Sequence, residues 1–305
     1  MNKCVTPSLR SRRLERRQIL KGLAFCSPWI IGLLVMYLYP LVSSFIYSFT
    51  DFNGLKTVQG WVGLDNFVEL FEDWDEDFWI AVQNTLVYTV ISVPISLTLG
   101  YLLALALSSE NIRGKGVFRV IAYIPNLIPV VAVAIVWIWM FNTQFGVVNL
   151  VLGWFGVPMI AWLTNPSMSI PSLVIITQWG VGGGLLVYLA GINDIPKELY
   201  EAAVVDGAGS FTRFWKITLP LSTPVLYYQL LMGVIGSLQQ FALPKILGGR
   251  LNSMLFYNIK LYNAAFRDHQ MGLANAMGWL MFVFVLLITL LMQYSSRFWV
   301  HYRDE

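Results

Sequence analysis

The chain has 305 residues, 57% apolar and only 12% charged, and its mean hydropathy of +0.63 excludes a soluble globular domain. A formal charge of +3 is too small for a nucleic-acid-binding surface. Two cysteines, Cys4 and Cys26, and two histidines, His269 and His301, leave neither a disulfide framework nor a metal-ligand pattern, so no metal is assigned.

Residues 1–22 form a basic leader with seven Lys and Arg. The apolar run that follows, near 24–48, is too long for a signal peptide and lacks a small-x-small cleavage site, so it reads as a retained helix. Five further runs, near 80–108, 117–141, 171–192, 224–247 and 272–295, each have the roughly 20 residues that cross about 30 Å of hydrocarbon. The predicted fold class is an all-α integral membrane protein with six transmembrane helices, forming one domain over 23–305. Fifteen of the 20 Lys and Arg fall on one side: the leader, Arg113, Lys115 and Arg119, Lys197, Arg213 and Lys216, and Arg297 and Arg303. The opposite side carries the acidic stretch EDWDED at 72–77, which places both termini in the cytoplasm. The last outward loop, with Arg250, Lys260 and Arg267, fits this rule least well. Between spans three and four, FGVVNLVLGWFGVPMIAW is too broken by Gly and Pro to cross, and is expected along the outer interface with Trp154 and Trp162 among the headgroups.

The cores of the six spans contain no Asp, Glu or His, which disfavours both an ion-coupled carrier and a membrane-embedded enzyme. Arg119 and Lys245 lie near span ends, where their stems can snorkel. The glycine cluster WGVGGGLL at 179–186 lacks the Lys-Ser/Thr ending of a phosphate loop and lies inside a span. Its commoner use is close packing against a neighbouring helix, the alternative being a direct part in lining a path. A transporter of this kind that uses ATP binds the nucleotide on another chain.

Charge concentrates in one loop, residues 193–221, between spans four and five. Asp194 is a plausible N-cap, Pro196 suits a first turn and Glu198 suits the positive end of the helix dipole, predicting a helix over about 195–205. Gly207 and Gly209 break it, Ser210 can cap a second short helix through Trp215 and Ile217, and Pro220 opens span five. Leu199, Ala202, Ala203 and Asp206 share one side of the first helix, with Glu201 directed elsewhere. Two adjacent alanines admit a partner backbone closely, and Phe211, Phe214 and Trp215 are large enough to fill a cleft in another protein. The same pattern also describes an amphipathic helix that packs on its own bundle.

The order Glu201-Ala202-Ala203, three residues, Gly207, nine residues, Ile217, one residue, Leu219-Pro220 resembles the EAA loop of permease subunits of binding-protein-dependent ABC importers. VGLDNFVELF at 62–71, IPNLIPVVAVAIVWIWMF at 124–141 and WGVGGGLLVYLAGINDIPKELYEAA at 179–203 extend the likeness toward the first permease of the carbohydrate-uptake branch. The resemblance departs at ILGGRLNSM, 246–254, where Arg250 stands in place of the family's frequent proline. It implies a type I importer fold and an ATP-driven sugar importer. The implied partners are a second permease, two ATPase subunits that bind ATP and Mg, and an extracytoplasmic solute-binding protein. It also implies that Glu201, Ala202, Ala203, Asp206, Gly207, Phe214, Ile217, Leu219 and Pro220 form the ATPase-coupling surface. Glycerol-3-phosphate or another polar solute is the alternative cargo.

Sugars are held by hydrogen bonds and by stacking on rings, so polar and aromatic residues within spans are the path candidates: Ser237, Gln239, Gln240 and Phe241 in span five, Gln178, Trp179 and Tyr188 in span four. The same residues equally serve as hydrogen-bond partners between helices. Adjacent glutamines cannot share a helix face, and Gln240 is the one chosen to line the path.

Overall fold

The computed structural model describes residues 9–54, 60–72, 76–109 and 112–301. Cys4, Lys56, Arg303 and the middle of EDWDED lie outside them. Among the described residues the architecture is helical, with one isolated bridge between Thr50 and Trp61.

Helix α1 (Leu9–Leu33) runs through a π-helical stretch, Leu34–Leu38, into α2 (Tyr39–Tyr47). The widened turn comes two residues before Pro40, whose ring would strike the carbonyl four residues back in a regular α-helix. The first apolar span, Leu20–Tyr47, has no fully buried residue and meets the last span near its end, where Phe45 packs edge-on to Trp279 at 4.9 Å and the Trp279 indole N–H donates to Ser44 Oγ at 3.1 Å. After the short α3 (Asp65–Glu72), α4 (Glu76–Ser108) forms the central pillar, and 33 residues at 1.5 Å each exceed the membrane core.

Span three, expected as one helix over 117–141, is instead two: α5 (Lys115–Tyr123) and α6 (Val130–Met140), bent by 98°. Two prolines cause the break. A 3₁₀ turn, Ile124–Leu127, begins around Pro125, and Ile128 is extended (φ −80°, ψ 129°) as the residue before a proline prefers. Helix α7 (Val147–Trp154) follows. Span four is likewise divided into α8 (Pro166–Gln178) and α9 (Leu185–Asn193), joined by a 3₁₀ turn at Val181–Gly184 and bent by 45°. Two short helices, α10 (Lys197–Val205) and α11 (Ser210–Arg213), a π-helical stretch Phe214–Thr218 and α12 (Leu219–Leu221) make up the charged loop. Span five is α13 (Thr223–Leu238) with α14 (Ala242–Leu247), then come α15 (Tyr257–Phe266) and the last span, α16 (Met271–Ser296). Counting each bent pair once gives six spans.

Trp162 does not sit at an interface as expected. It is buried, stacked on Phe141 at 4.9 Å, and its indole N–H donates to Asn149 Oδ1 at 2.9 Å. Asn149 also donates to the Thr143 and Ile160 carbonyls, so one buried amide fixes the whole Gly- and Pro-rich segment, while Trp154 stays exposed. At 246–254 the chain turns through Gly248 (φ +62°), and the Asn252 and Leu255 carbonyls accept from Asn84 Nδ2, which ties that loop to α4.

Candidate functional site

The loop is built around helix α10. Pro196 is extended (φ −57°, ψ 133°) and stands at the N-cap, so Asp194 lies two residues too early to cap α10 and instead ends α9; Glu198 occupies the first turn of α10 as expected. The helix ends in a paired closure: the Gly207 N–H bonds to the Val204 carbonyl at 3.0 Å and the Ala208 N–H to the Ala203 carbonyl at 2.8 Å. This geometry needs a left-handed residue at 207, and Gly207 supplies φ +76°. Four residues from Ala203 to Gly207 is therefore the spacing at which the closure forms. Ser210 is the first helical residue of α11 rather than its cap; extended Gly209 takes that place.

Helix α10 buries none of its residues against this chain. Glu201, Ala202, Asp206 and Gly207 are exposed and Ala203 half-buried. Val205 is 87% and Phe211 77% exposed, and Leu199, Val204 and Trp215 are also open, an apolar surface with Glu201 and Asp206 among it. Phe214 is a correction: it turns inward, half-buried, its ring 6.4 Å from Tyr101 in the cluster of Leu185, Tyr188 and Leu189. The π-helical stretch that begins at Phe214 directs it to the bundle, so Phe211 and Trp215 are the rings of this loop that stay exposed. Ile217, Leu219 and Pro220 are half-buried at the foot of span five.

A second feature is a cavity of about 300 Å³ between α4, the break in span four and α13. Ser96, Thr177, Tyr188 and Gln229 give it polar walls, and Gly180 and Gly184 open it. Ser96 Oγ donates to Gln178 Oε1 at 2.8 Å, and Gln229 Nε2 donates to the Gly184 carbonyl at 3.0 Å. Gln178 Nε2 is buried without a partner among the described residues. Of the sequence candidates, Tyr188 lines this cavity and Gln178 is held at it through Ser96. Trp179 faces away, edge-on to Trp137 at 6.0 Å. Gln240 does not reach it: its Nε2 donates to Tyr88 OH at 3.3 Å. Ser237 is bonded to the Val234 carbonyl, the backbone carbonyl of the exposed Gln239 accepts from Asn258 Nδ2, and Phe241 packs on Tyr262 at 5.3 Å. Ser96, Thr177 and Gln229 were missed. Each is a polar residue inside an apolar run, which is a usable signal, but the order in which helices pack decides which of them meet.

A profile of the family described as "binding-protein-dependent transport system inner membrane component" matches residues 96–300, which contain both features. The chain belongs to that family. Among curated relatives of this transport component, the probable ABC transporter permease protein YesP of Bacillus subtilis is 39% identical, over 98% of this chain and 97% of that one. The lactose transport system permease protein LacF of Rhizobium radiobacter is 32% identical over 93% and 96%. A crystal structure of a bacterial alginate ABC transporter, in complex with an alginate pentasaccharide-bound periplasmic protein, superposes with a TM-score of 0.80 at 27% identity, covering 94% of this chain and 96% of that one. The component is thus a multi-pass membrane permease of the type I importer fold and not an enzyme.

The glycine cluster of this permease both packs and lines. A Cβ on Gly182 would stand 2.0 Å from the Ala122 carbonyl oxygen, and one on Gly184 2.1 Å from Gln229 Nε2. Gly182 thus admits α5 to the turn, and Gly184 admits Gln229, which lines the cavity.

Proposed function

We propose that this permease is a translocation-pathway subunit of an ATP-driven importer of sugars, in the first place of an oligosaccharide, and that α10 couples it to a separate ATPase. The observation that carries this reading is the unburied α10, an apolar face with two carboxylates on a closed, glycine-capped helix. A helix that packed on its own bundle would bury that face; this one is left for another protein. The complex then comprises a second, different permease, two ATPase subunits holding ATP and Mg, and an extracytoplasmic binding protein. It lies in the cytoplasmic membrane of a bacterium or archaeon, with both termini inside. Sugar transport is what the names of relatives such as LacF state of those proteins.

The cavity supports a neutral cargo. Its described lining residues include no Lys, Arg, Asp or Glu; the polar ones, Ser96, Thr177, Tyr188 and Gln229, suit sugar hydroxyls and stand among Val93, Leu97, Val181 and Met232. A phosphorylated solute needs a cation. Lys245 is committed elsewhere, its Nζ donating to Asn263 Oδ1 at 2.9 Å and lying 4.6 Å from the Tyr262 ring centroid. Gln229→Leu is expected to raise the transport KM for the sugar by up to ~10-fold, the worth of one neutral hydrogen bond, with assembly intact. Uptake assays in vesicles check it, and an unchanged KM would remove Gln229 from the path. The reading as a whole is tested by purifying the chain in detergent from its native membrane: a second permease and an ATPase are expected with it, and a chain that purifies alone sinks the proposal.

A further inference from the structure

Three hydroxyl side chains gather at the foot of span five. Thr218, Ser222 and Thr223 are 7%, 1% and 9% exposed, and each is bonded to a different element. Tyr200 OH, on α10, lies 2.9 Å from Thr218 Oγ1. Tyr101 OH, on α4, lies 2.6 Å from Ser222 Oγ. The backbone N–H of His301, beyond the end of α16, donates to Thr223 Oγ1 at 3.0 Å. Ser222 Oγ gives its own proton to the Leu219 carbonyl at 3.1 Å, so Tyr101 is the donor in that pair. Thr223 Oγ1 likewise donates to the Pro220 carbonyl at 2.7 Å, which leaves its lone pairs for His301.

The preceding π-helical stretch has a physical cause in Pro220. The proline ring excludes a regular α turn before it, so the Leu219 N–H reaches back five residues to the Phe214 carbonyl. That extra residue resets the direction in which Thr218 faces, and it faces Tyr200. No residue of helix α10 is fully buried, and the Tyr200–Thr218 pair is one of the bonds that tie it to span five. Tyr101 in turn sits on the same helix as Ser96, just over one turn away, and Ser96 holds Gln178 at the cavity. A chain of packed, hydrogen-bonded groups therefore runs from α10 through Thr218 and Ser222 to α4 and the cavity wall.

We propose that Thr218 and Ser222 are positioning residues forming the junction through which displacement of α10 reaches the cavity-lining helices, with Tyr200 and Tyr101 as the two arms. This rests on the reading of α10 as the ATPase-coupling helix. Thr218 and Ser222 are buried, so their hydroxyls exchange little with water and each pair transmits a displacement or breaks as a unit. Coupling of this kind is established only by measuring it.

The test uses the complete transporter in proteoliposomes, comparing basal ATP hydrolysis with hydrolysis stimulated by the sugar-loaded binding protein. Tyr200→Phe, Thr218→Val and Tyr101→Phe are each expected to lower the stimulated rate about fivefold or more while basal rate and ATPase stoichiometry stay as in the unchanged chain. Thr218→Ser keeps the hydroxyl and restores stimulation. The double variant of Tyr200→Phe with Thr218→Val falls no further than either alone, the mark of one shared interaction. Stimulation that survives all three variants overturns the junction, as does a loss of basal rate and assembly in step with stimulation, which a merely structural role would give. Glu201→Ala run beside them separates the two levels: if it uncouples and the hydroxyl variants do not, the junction alone fails. If no ATPase accompanies even the unchanged chain, the coupling reading fails and the junction with it.

Discussion

Glu201→Ala is expected to reduce binding-protein-stimulated ATP hydrolysis of the assembled transporter by roughly 30-fold, the equivalent of about 2 kcal/mol and the lower end for truncating one member of a buried charged pair. Glu201 and Ala202 both stand exposed on α10. When a partner closes over the two alanines, the carboxylate is desolvated and must meet a donor there. Removal then leaves the partner's donor buried and unpaired, which costs more than the contact itself contributed. Glu201→Gln keeps the shape and one acceptor and is expected to retain part of the stimulation. Ala202→Leu tests the same surface from its other side, because a larger side chain holds the partner backbone off. If Glu201→Ala hydrolyses and transports like the unchanged chain, the charge does not contact the ATPase.

What a single chain's sequence reveals here follows from what lipid demands. Hydrocarbon accepts long apolar helices and little else, so six apolar runs read as six crossings, four of them single helices and two of them bent pairs. Their straightness was not part of that demand. Pro125 and Pro129 did mark the 98° break, but length and hydropathy outvote prolines in a search for spans. The coupling loop was legible for a similar reason: Gly207 must be left-handed for α10 to close, and a glycine four residues past an alanine pair announces it. Phe214 shows where such reading stops. By sequence its ring faces outward with Phe211 and Trp215, because the one-residue shift of the π-helical stretch leaves no periodic trace in the residues. The cavity was the least legible part. Gln240 and Gln229 are both glutamines of one apolar run, but α13 ends at Leu238, so Gln240 lies in the break beyond it against Tyr88 while Gln229 packs on span four at the cavity.

Gly182→Ala is expected to be the most damaging single substitution in the glycine cluster, while Gly183→Ala next to it is tolerated. The added methyl at 182 would lie 2.0 Å from the Ala122 carbonyl oxygen and 2.6 Å from its carbonyl carbon, both backbone atoms of α5. Neither can rotate away, so α5 must move off the break in span four as a body. At 183 the nearest atom is Asn126 Oδ1 at 2.7 Å, the end of a side chain that can turn aside. Overpacking costs about 1–3 kcal/mol where neighbours give way, and Gly182 belongs at or above the top of that range. The effect also reaches function, because the 3₁₀ turn Val181–Gly184, on which α5 packs, carries the cavity-lining residues Val181 and Gly184. Thermal unfolding in detergent, followed through a reporter on the purified chain, is expected to show a lower midpoint for Gly182→Ala and a nearly unchanged one for Gly183→Ala. Sugar uptake should fall with the first and persist with the second. Equal midpoints for the two variants would mean that α5 and span four do not approach as closely as a bare glycine requires, and the cavity's shape would need another cause.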